Sequence, residues 1–240
     1  MSNNLSASGI VFKKEDVLET GINFYIYTKE FGKIKIFAKS IKKIESKLKS
    51  NIDIFYYSKI EFVQGKDKKT LTDVVKSKKF FKIILSPKRF EIATKISKTL
   101  EYFLIEQEKD EKIFELVKSS FDILNSDSLE KKNCDMVYYY FLWRFFSILG
   151  FKPELYKCAN CFANLKPYKN YFSCIDGGII CSLCSKNYKK IIEIDSNTIK
   201  TLRLVFKQDW QTFSKLKIDF FSKKTLQEIS EIYSLFLLNK

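Results

Sequence analysis

The spacing of apolar and polar positions changes from period two to a helical period near residue 86. Up to that point, short runs of alternating residues are separated by charged turns, most clearly where lysines alternate with apolar residues in 33–39. Alternation of this kind is typical of half-buried strands, so these lysines should share one face. The sequence predicts a small antiparallel barrel. Its five strands would cover residues 9–13, 23–28, 33–39, 53–63 and 70–75.

The second pattern predicts a helical region. Ser86 precedes Pro87, an arrangement that suits an N-cap followed by the first helical position. One later segment is apolar nearly all round and is followed by Gly150 and Pro153, so it should be a central buried helix. The predicted helices cover residues 87–104, 111–124, 135–149, 195–206 and 225–238.

Four cysteines, arranged in two CxxC pairs, lie between the predicted helices 135–149 and 195–206. Cys158 and Cys161 are separated by 19 residues from Cys181 and Cys184. Two such turns can direct four thiolates at one ion, which predicts a structural zinc site with no position left for substrate. A dithiol redox pair and buried cysteines are the alternatives. Cys174 could substitute as a ligand, whereas Cys134 lies apart from the cluster.

Composition narrows the function classes. The chain carries 43 Lys and Arg against 28 Asp and Glu, a formal charge of +15, which favours a polyanionic partner. Nucleic acid is the first candidate, an anionic membrane the second, and a general lysine bias the third reading. The complete lack of histidine excludes the common histidine-based catalytic sites. We see no export signal and no apolar run of membrane-spanning length, and we expect a cytoplasmic protein with reduced cysteines.

One lysine-rich segment stands out in the predicted barrel. Residues 33–49 hold seven lysines against one acid, Glu45. Lysines at this density bind phosphates without regard to sequence, and neighbouring aromatic residues are of the type that stack on bases. The alternative is a solvated face over core aromatics. The seven lysines are Lys33, Lys35, Lys39, Lys42, Lys43, Lys47 and Lys49.

The order of several motifs resembles the bacterial RecO family of recombination mediators. The opening 9–14 resembles the family's first strand, and 28–39 resembles its next strand pair, although Ser40 replaces the usual glycine. Ser46 and Lys47 fall where the family has a basic-Ser-basic element. Residues 141–161 resemble its "F..R.L…LG..P.L..C..C" signature, and 177–184 resemble its "GG..C..C" ending.

The resemblance implies an α+β protein with an OB-fold at residues 1–80 and a helical domain at 81–240. The zinc-binding segment, 155–190, would be embedded in the second domain. The implied function is non-enzymatic: binding of single- and double-stranded DNA, annealing of complementary strands, and loading of recombinase with RecR onto strands coated by single-stranded-DNA-binding protein (SSB). Lys13 and Lys14 join the seven lysines as predicted DNA contacts. Arg144 is the candidate for pairing with the acidic SSB tail, with a structural salt bridge as the alternative.

Two other functions stay open at this point. A zinc-ribbon nuclease or other metal enzyme is disfavoured by the closed set of four cysteines and the missing histidine. A protein-interaction scaffold without a direct DNA role would account for the zinc motif and attribute the charge to lysine bias.

Overall fold

A computed structural model of the chain describes residues 4–17, 21–39, 41–42, 48, 50–207 and 209–240. The chain divides into two compact units, Met1–Cys134 and Asp135–Lys240. The first unit combines a strand-rich barrel with helices, and the second is mainly helical with one small sheet. The predicted mixed α+β class is therefore confirmed. The predicted domain boundary after residue 80 stays a prediction.

Five strands of the first unit close into a barrel in the order β1-β2-β3-β5-β4. Strands β3 and β5 pair in parallel and the other neighbours are antiparallel, so the expectation of a wholly antiparallel barrel was wrong at this one seam. The strands are β1 (Asn4–Val17), β2 (Gly21–Thr28), β3 (Gly32–Ala38), β4 (Tyr56–Gln64) and β5 (Lys69–Lys79).

Two strand bounds differ from the predicted ones for identifiable reasons. Strand β1 is longer because it pairs with β4 through its first half and with β2 through its second. Strand β4 starts at Tyr56 rather than residue 53, because Phe55 has a φ of 61°. The Asp53 carboxylate accepts a hydrogen bond from the Ile54 N–H in the turn before it.

The alternation in β3 separates the barrel interior from its outer face, as predicted. Ile34 and Ile36 are buried in the barrel core, whereas Lys35 between them is exposed. Gly32 begins the strand with a φ of 64°, and a Cβ there would collide with the backbone of Glu108. The turn from β2 to β3 therefore requires glycine.

Helices follow the barrel in the first unit: α1 (Phe81–Leu85), α2 (Pro87–Phe103) and α3 (Glu111–Leu124). Ser86 caps α2 through a hydrogen bond from the Arg89 N–H, and Asp110 caps α3, as polar residues do at helix starts. The short helix α1 was not predicted, because five residues show no helical period.

The second unit holds α4 (Cys134–Ile148, one residue of it in the first unit), β6 (Asn170–Ser173), β7 (Gly178–Cys181), β8 (Ile192–Ile194), α5 (Ser196–Lys207), α6 (Trp210–Phe213) and α7 (Phe220–Leu238). The sheet order is β7-β6-β8. The predicted start of α7 at residue 225 was wrong, because the Asp219 carboxylate caps the Ser222 N–H and the helix begins at Phe220. The buried Trp143 indole donates to Ser230 and stacks on Tyr233.

Across the described ranges, no helix is both long and apolar enough to cross a membrane.

Candidate metal centre and nucleic-acid interface

The four cysteines of the two CxxC pairs lie together in the second unit. Cys181 is the last residue of β7, and Cys184 begins a short 3-10 turn three residues later. Cys158 lies in a loop whose next residue, Ala159, donates its N–H to the Ile179 carbonyl of β7. The backbone of β7 therefore holds both pairs in one place.

The sulfur positions fit a tetrahedral metal ion. All four Sγ atoms lie within 4.8 Å of one another, and the Sγ atoms of Cys161 and Cys181 are 3.8 Å apart. A tetrahedron with Zn–S bonds of about 2.3 Å has S···S edges of about 3.8 Å. Cys158 is buried and Cys161 is exposed. One side of the site therefore lies in the protein interior, and another side is accessible to solvent.

Backbone amides converge on the buried sulfur. The N–H groups of Cys161 and Cys181 point at the Cys158 Sγ from 3.5 Å and 3.4 Å. Burial raises the pKa of the Cys158 thiol, but these two N–H groups, the N–H of Asn160 and the Cys161 thiol together outweigh burial and lower the pKa to about 6. A thiolate is the metal-binding form of cysteine, so the loop geometry prepares this position for a cation.

A close backbone contact fixes β7 against the first loop. Gly178 lies against Glu154, where an added Cβ would come within 2.6 Å of the Glu154 carbonyl oxygen. The same oxygen accepts the Ile179 N–H at 2.9 Å. The Glu154 carboxylate accepts N–H bonds from Tyr156 and Lys157, which lower its pKa. Glycine at 178 is thus a packing requirement of the metal site.

The remaining two cysteines lie elsewhere. Cys174 is half-buried in the turn between β6 and β7, where burial raises the pKa of its thiol. It is not part of the one candidate metal group found among the described residues. Cys134 is fully buried at the start of α4.

Three of the predicted DNA-binding lysines are neutralised by acidic partners. Lys13 contacts Glu101 and Glu15, and both hydrogen bonds hold the pKa of Lys13 above its usual value. Lys14 pairs with Asp53, as does Lys42 with Asp16. These carboxylates compete with phosphate for the same ammonium groups.

The other predicted lysines fall into three groups. Lys35 and Lys39 are exposed on or just after β3. Lys33 is half-buried and donates to the Glu101 carbonyl, and burial lowers its pKa. Lys43, Lys47 and Lys49 lie outside the described residues, as do Ser40 and Ser46.

Two aromatic side chains on the outer face of β2 and β3 carry lysines over their rings. The ammonium groups of Lys13 and Lys35 lie 4.8 Å and 5.4 Å from the Tyr25 ring centroid. Lys68, which sequence reasoning missed, lies 4.3 Å from the ring centroid of Phe37. The nearby aromatics Phe24 and Tyr27 are core residues instead. Alternation along β2 separates Phe24, on the inner face, from Tyr25 on the outer face. Tyr27 shares the face of Tyr25 and is buried because it packs on Phe114 of α3, which no pattern within β2 indicates.

Arg144 packs against the neighbouring helix of its own unit. Its Nε donates to the Val205 carbonyl at 2.8 Å, and its guanidinium lies 4.5 Å from the Tyr140 ring centroid. Hydrogen bonds from the N–H and hydroxyl of Thr212 lower the pKa of Asp209, and the Arg144 charge adds a smaller effect in the same direction. A structural role is therefore visible for Arg144.

A cleft of about 540 Å³ lies beside the carboxyl end of α5 and was not predicted. Lys152 and Lys207 line it together with the rings of Tyr156 and Phe206. The Arg203 guanidinium lies 4.5 Å from the Tyr156 ring centroid and donates twice to the Leu155 carbonyl. The cleft therefore combines cationic groups with apolar walls.

Comparison with known families covers nearly the whole chain. Residues 1–80 match the family described as "Recombination protein O N terminal", and residues 85–240 match "Recombination protein O C terminal". The chain belongs to the RecO family. The resemblance seen in the motifs is thereby confirmed.

Individual RecO relatives align over most of their length. A protein named DNA repair protein RecO from Dehalococcoides mccartyi strain 195 is 31% identical over 210 residues, which is 88% of this chain and 81% of the relative. The RecO of strain CBDB1 is 28% identical over 216 residues, 90% of this chain and 83% of the relative. The RecO of Desulforamulus reducens is 23% identical over 231 residues, covering 96% and 88%. The family membership supports a role in DNA repair.

Proposed function

We propose that this protein is a non-enzymatic recombination mediator that binds single- and double-stranded DNA and anneals complementary strands. The observation that carries the proposal is the outer face of β2 and β3 in a RecO-family barrel, where Tyr25 and Phe37 lie beneath lysines. We assign the barrel to the OB-fold, because its closed order 1-2-3-5-4 suits that class. OB-folds bind oligonucleotides on the face of strands 2 and 3.

The binding energy would come from phosphate neutralisation and base stacking. Lys35, Lys39 and Lys68 are exposed and release counterions when they contact phosphates. Tyr25 and Phe37 offer ring faces for bases of any sequence. Annealing then follows because a cationic surface lowers the repulsion between two strands and holds them close together. This mechanism uses no nucleotide hydrolysis.

The four cysteines would hold one structural zinc ion per chain. A zinc ion with four thiolate ligands has no open position for water, so we assign it to stability and not to catalysis. The matching sulfur spacing and the buried, amide-bonded Cys158 support the assignment.

The proposed partners are RecR and SSB, with which the protein would load recombinase onto coated strands. An acidic, apolar SSB tail suits the cleft lined by Lys152, Lys207 and Phe206 better than it suits Arg144 alone. Arg144 would act there by holding the backbone at Val205, next to Phe206. The proposed place of action is the bacterial cytoplasm, at the nucleoid.

The deciding experiment is DNA binding and strand annealing measured over a series of salt concentrations, with and without SSB and without nucleotide. We expect affinity to fall steeply with salt and annealing to proceed at low salt. Annealing that requires ATP, or that is absent at every salt concentration, would refute the proposal. DNA cleavage in Mg²⁺ would instead revive a metal enzyme.

A protein-interaction scaffold is the second candidate, and the ion pairs of Lys13, Lys14 and Lys42 favour it. Lysines held by carboxylates contribute less to DNA binding than free ones. The same salt series separates the two functions, because a scaffold would show weak DNA binding even at low salt.

A further inference from the structure

Phe162 is placed in a way that neither packing nor backbone preference accounts for. It directly follows Cys161, has a φ of 63° and is 74% exposed. A left-handed conformation is unfavourable for a bulky residue, and an exposed phenyl ring adds a hydration cost. Asparagine or glycine would close this turn at lower cost.

A second phenylalanine in the same conformation shows what normally offsets that cost. Phe55 has a φ of 61° but is fully buried, with its ring 5.0 Å from Phe90 and 5.6 Å from Phe121 between centroids. Packing stabilises Phe55 in its strained turn. Phe162 has the strain without the burial, so its ring is left available for a ligand.

Two other large apolar or aromatic residues of the cysteine segment are exposed as well. Leu183 lies inside the second CxxC pair and is 75% exposed. Phe162 follows Cys161 and Leu183 precedes Cys184 in the sequence, so each is next to a cysteine of the same four-sulfur cluster. Tyr168, further along the same segment, is 61% exposed.

The segment 155–190, which contains these exposed residues, carries a net positive charge. Residues 155–190 contain six lysines and a single acid, Asp176, so a positive excess persists even beside a doubly negative four-thiolate zinc centre. All six lysines are exposed. Within the described chain none of them forms an ion pair with a carboxylate. They are Lys157, Lys166, Lys169, Lys186, Lys189 and Lys190.

We propose that the exposed residues Phe162, Tyr168, Leu183 and the six lysines, together called the knuckle surface, form a second contact for single-stranded DNA. Unpaired bases can stack on the exposed rings while free ammonium groups bind the phosphates. A duplex keeps its bases stacked inside, so it would use only the lysines. The inference deepens the proposed function, on which it rests: annealing needs two strands to be held, and the barrel accounts for one.

The test uses the zinc-loaded full chain and a fluorescein-labelled oligothymidylate, with affinity read from anisotropy. Phe162→Asn tolerates the left-handed backbone, so zinc content and thermal midpoint should stay unchanged while affinity falls roughly tenfold. Phe162→Tyr keeps a ring and should keep the affinity. Ile175→Asn is the matched control, because Ile175 is equally exposed at 76% but lies in the β6–β7 turn outside both CxxC pairs.

Two results would overturn the inference. Affinity that survives Phe162→Asn would do so, as would an equal loss in Ile175→Asn. A variant that loses binding of an acidic peptide but not of DNA would mark the surface as a protein-docking site and likewise refute the DNA contact. If Phe162→Asn fails to fold, the unaltered protein is photo-crosslinked to a bromodeoxyuridine oligonucleotide. Crosslinks at 157–169 or 183–190 support the inference, and crosslinks found only elsewhere in the chain refute it.

Failure of the inference can be told from failure of the proposed function. If the unaltered protein binds no DNA at low salt, the proposed function itself is wrong. If it binds DNA and only barrel variants weaken that binding, the proposed function stands and the knuckle surface has no part in it.

Discussion

The barrel and residues 155–190, called the zinc segment after the ion proposed for its four cysteines, are both rich in lysine but differ in how many of these lysines have partners. On the barrel, Lys13, Lys14 and Lys42 are engaged by carboxylates and Lys33 by a carbonyl group. In the zinc segment, all six lysines are exposed and unpaired within the described chain. Local lysine density is therefore a poor guide to which cations are available for phosphate.

The aromatic residues of the two regions differ in how far their rings are exposed to solvent. On the barrel, Tyr25 and Phe37 are half-buried, and a lysine ammonium group lies 5.4 Å and 4.3 Å from their respective ring centroids. In the zinc segment, Phe162 and Tyr168 are mostly exposed. The barrel thus offers a prearranged surface, whereas the zinc segment offers rings that are free in solvent.

The largest expected effect concerns the zinc ion proposed for the four cysteines of the zinc segment. Cys158→Ser removes the buried ligand, so the protein should lose its zinc and at least about 4 kcal/mol of stability. DNA affinity per folded molecule should change much less. Zinc release and thermal unfolding measure the change. Cys174→Ser is the control and should keep one zinc per chain; full zinc content in Cys158→Ser would contradict the metal site.

The next effect tests whether the barrel rings stack on bases. Replacing Tyr25 and Phe37 by Ala should weaken binding of single-stranded DNA by about 1–3 kcal/mol for each stacked base. Tyr56→Ala is the matched control, because Lys79 lies 5.3 Å from the Tyr56 ring on a different strand, β4. Anisotropy titration gives the affinities. A reduction as large in the control would show that the effect comes from barrel stability.

The smallest expected effect tests whether lysines with carboxylate partners contribute less to DNA binding than lysines without such partners. Changing Lys166, Lys169 and Lys186 to Gln should reduce the slope of log affinity against log salt by about 0.7 for each phosphate of a single strand that is no longer neutralised. The same change at Lys13, Lys14 and Lys42 should leave the slope nearly constant, since these ammonium groups already have carboxylate partners. Equal slope changes in the two triple variants would show that ion pairing does not limit phosphate binding.

Strand and helix positions followed from local patterns in most places. The alternation in 33–39 predicted which side of β3 faces the core, and Ser86-Pro87 predicted the start of α2. Two of the wrong bounds each trace to one residue: Phe55 in a left-handed conformation delays the start of β4, and Asp219 makes α7 begin early. Neither effect is visible in the period of apolar residues.

For the site, the sequence by itself determined the four cysteines, because two CxxC pairs are enough to bring four sulfurs to one ion. Their spacing and the family motifs also identified the class of protein. Only the tertiary structure decided which cations are free, since Glu101 reaches Lys13 from 88 residues away. It likewise exposed Phe162 and Tyr168 and assembled the cleft from 152–156 and 206–207. Ion pairs between residues far apart in the chain, and the exposure of a side chain, depend on which distant segments pack together. The local pattern of apolar and polar residues does not contain this information.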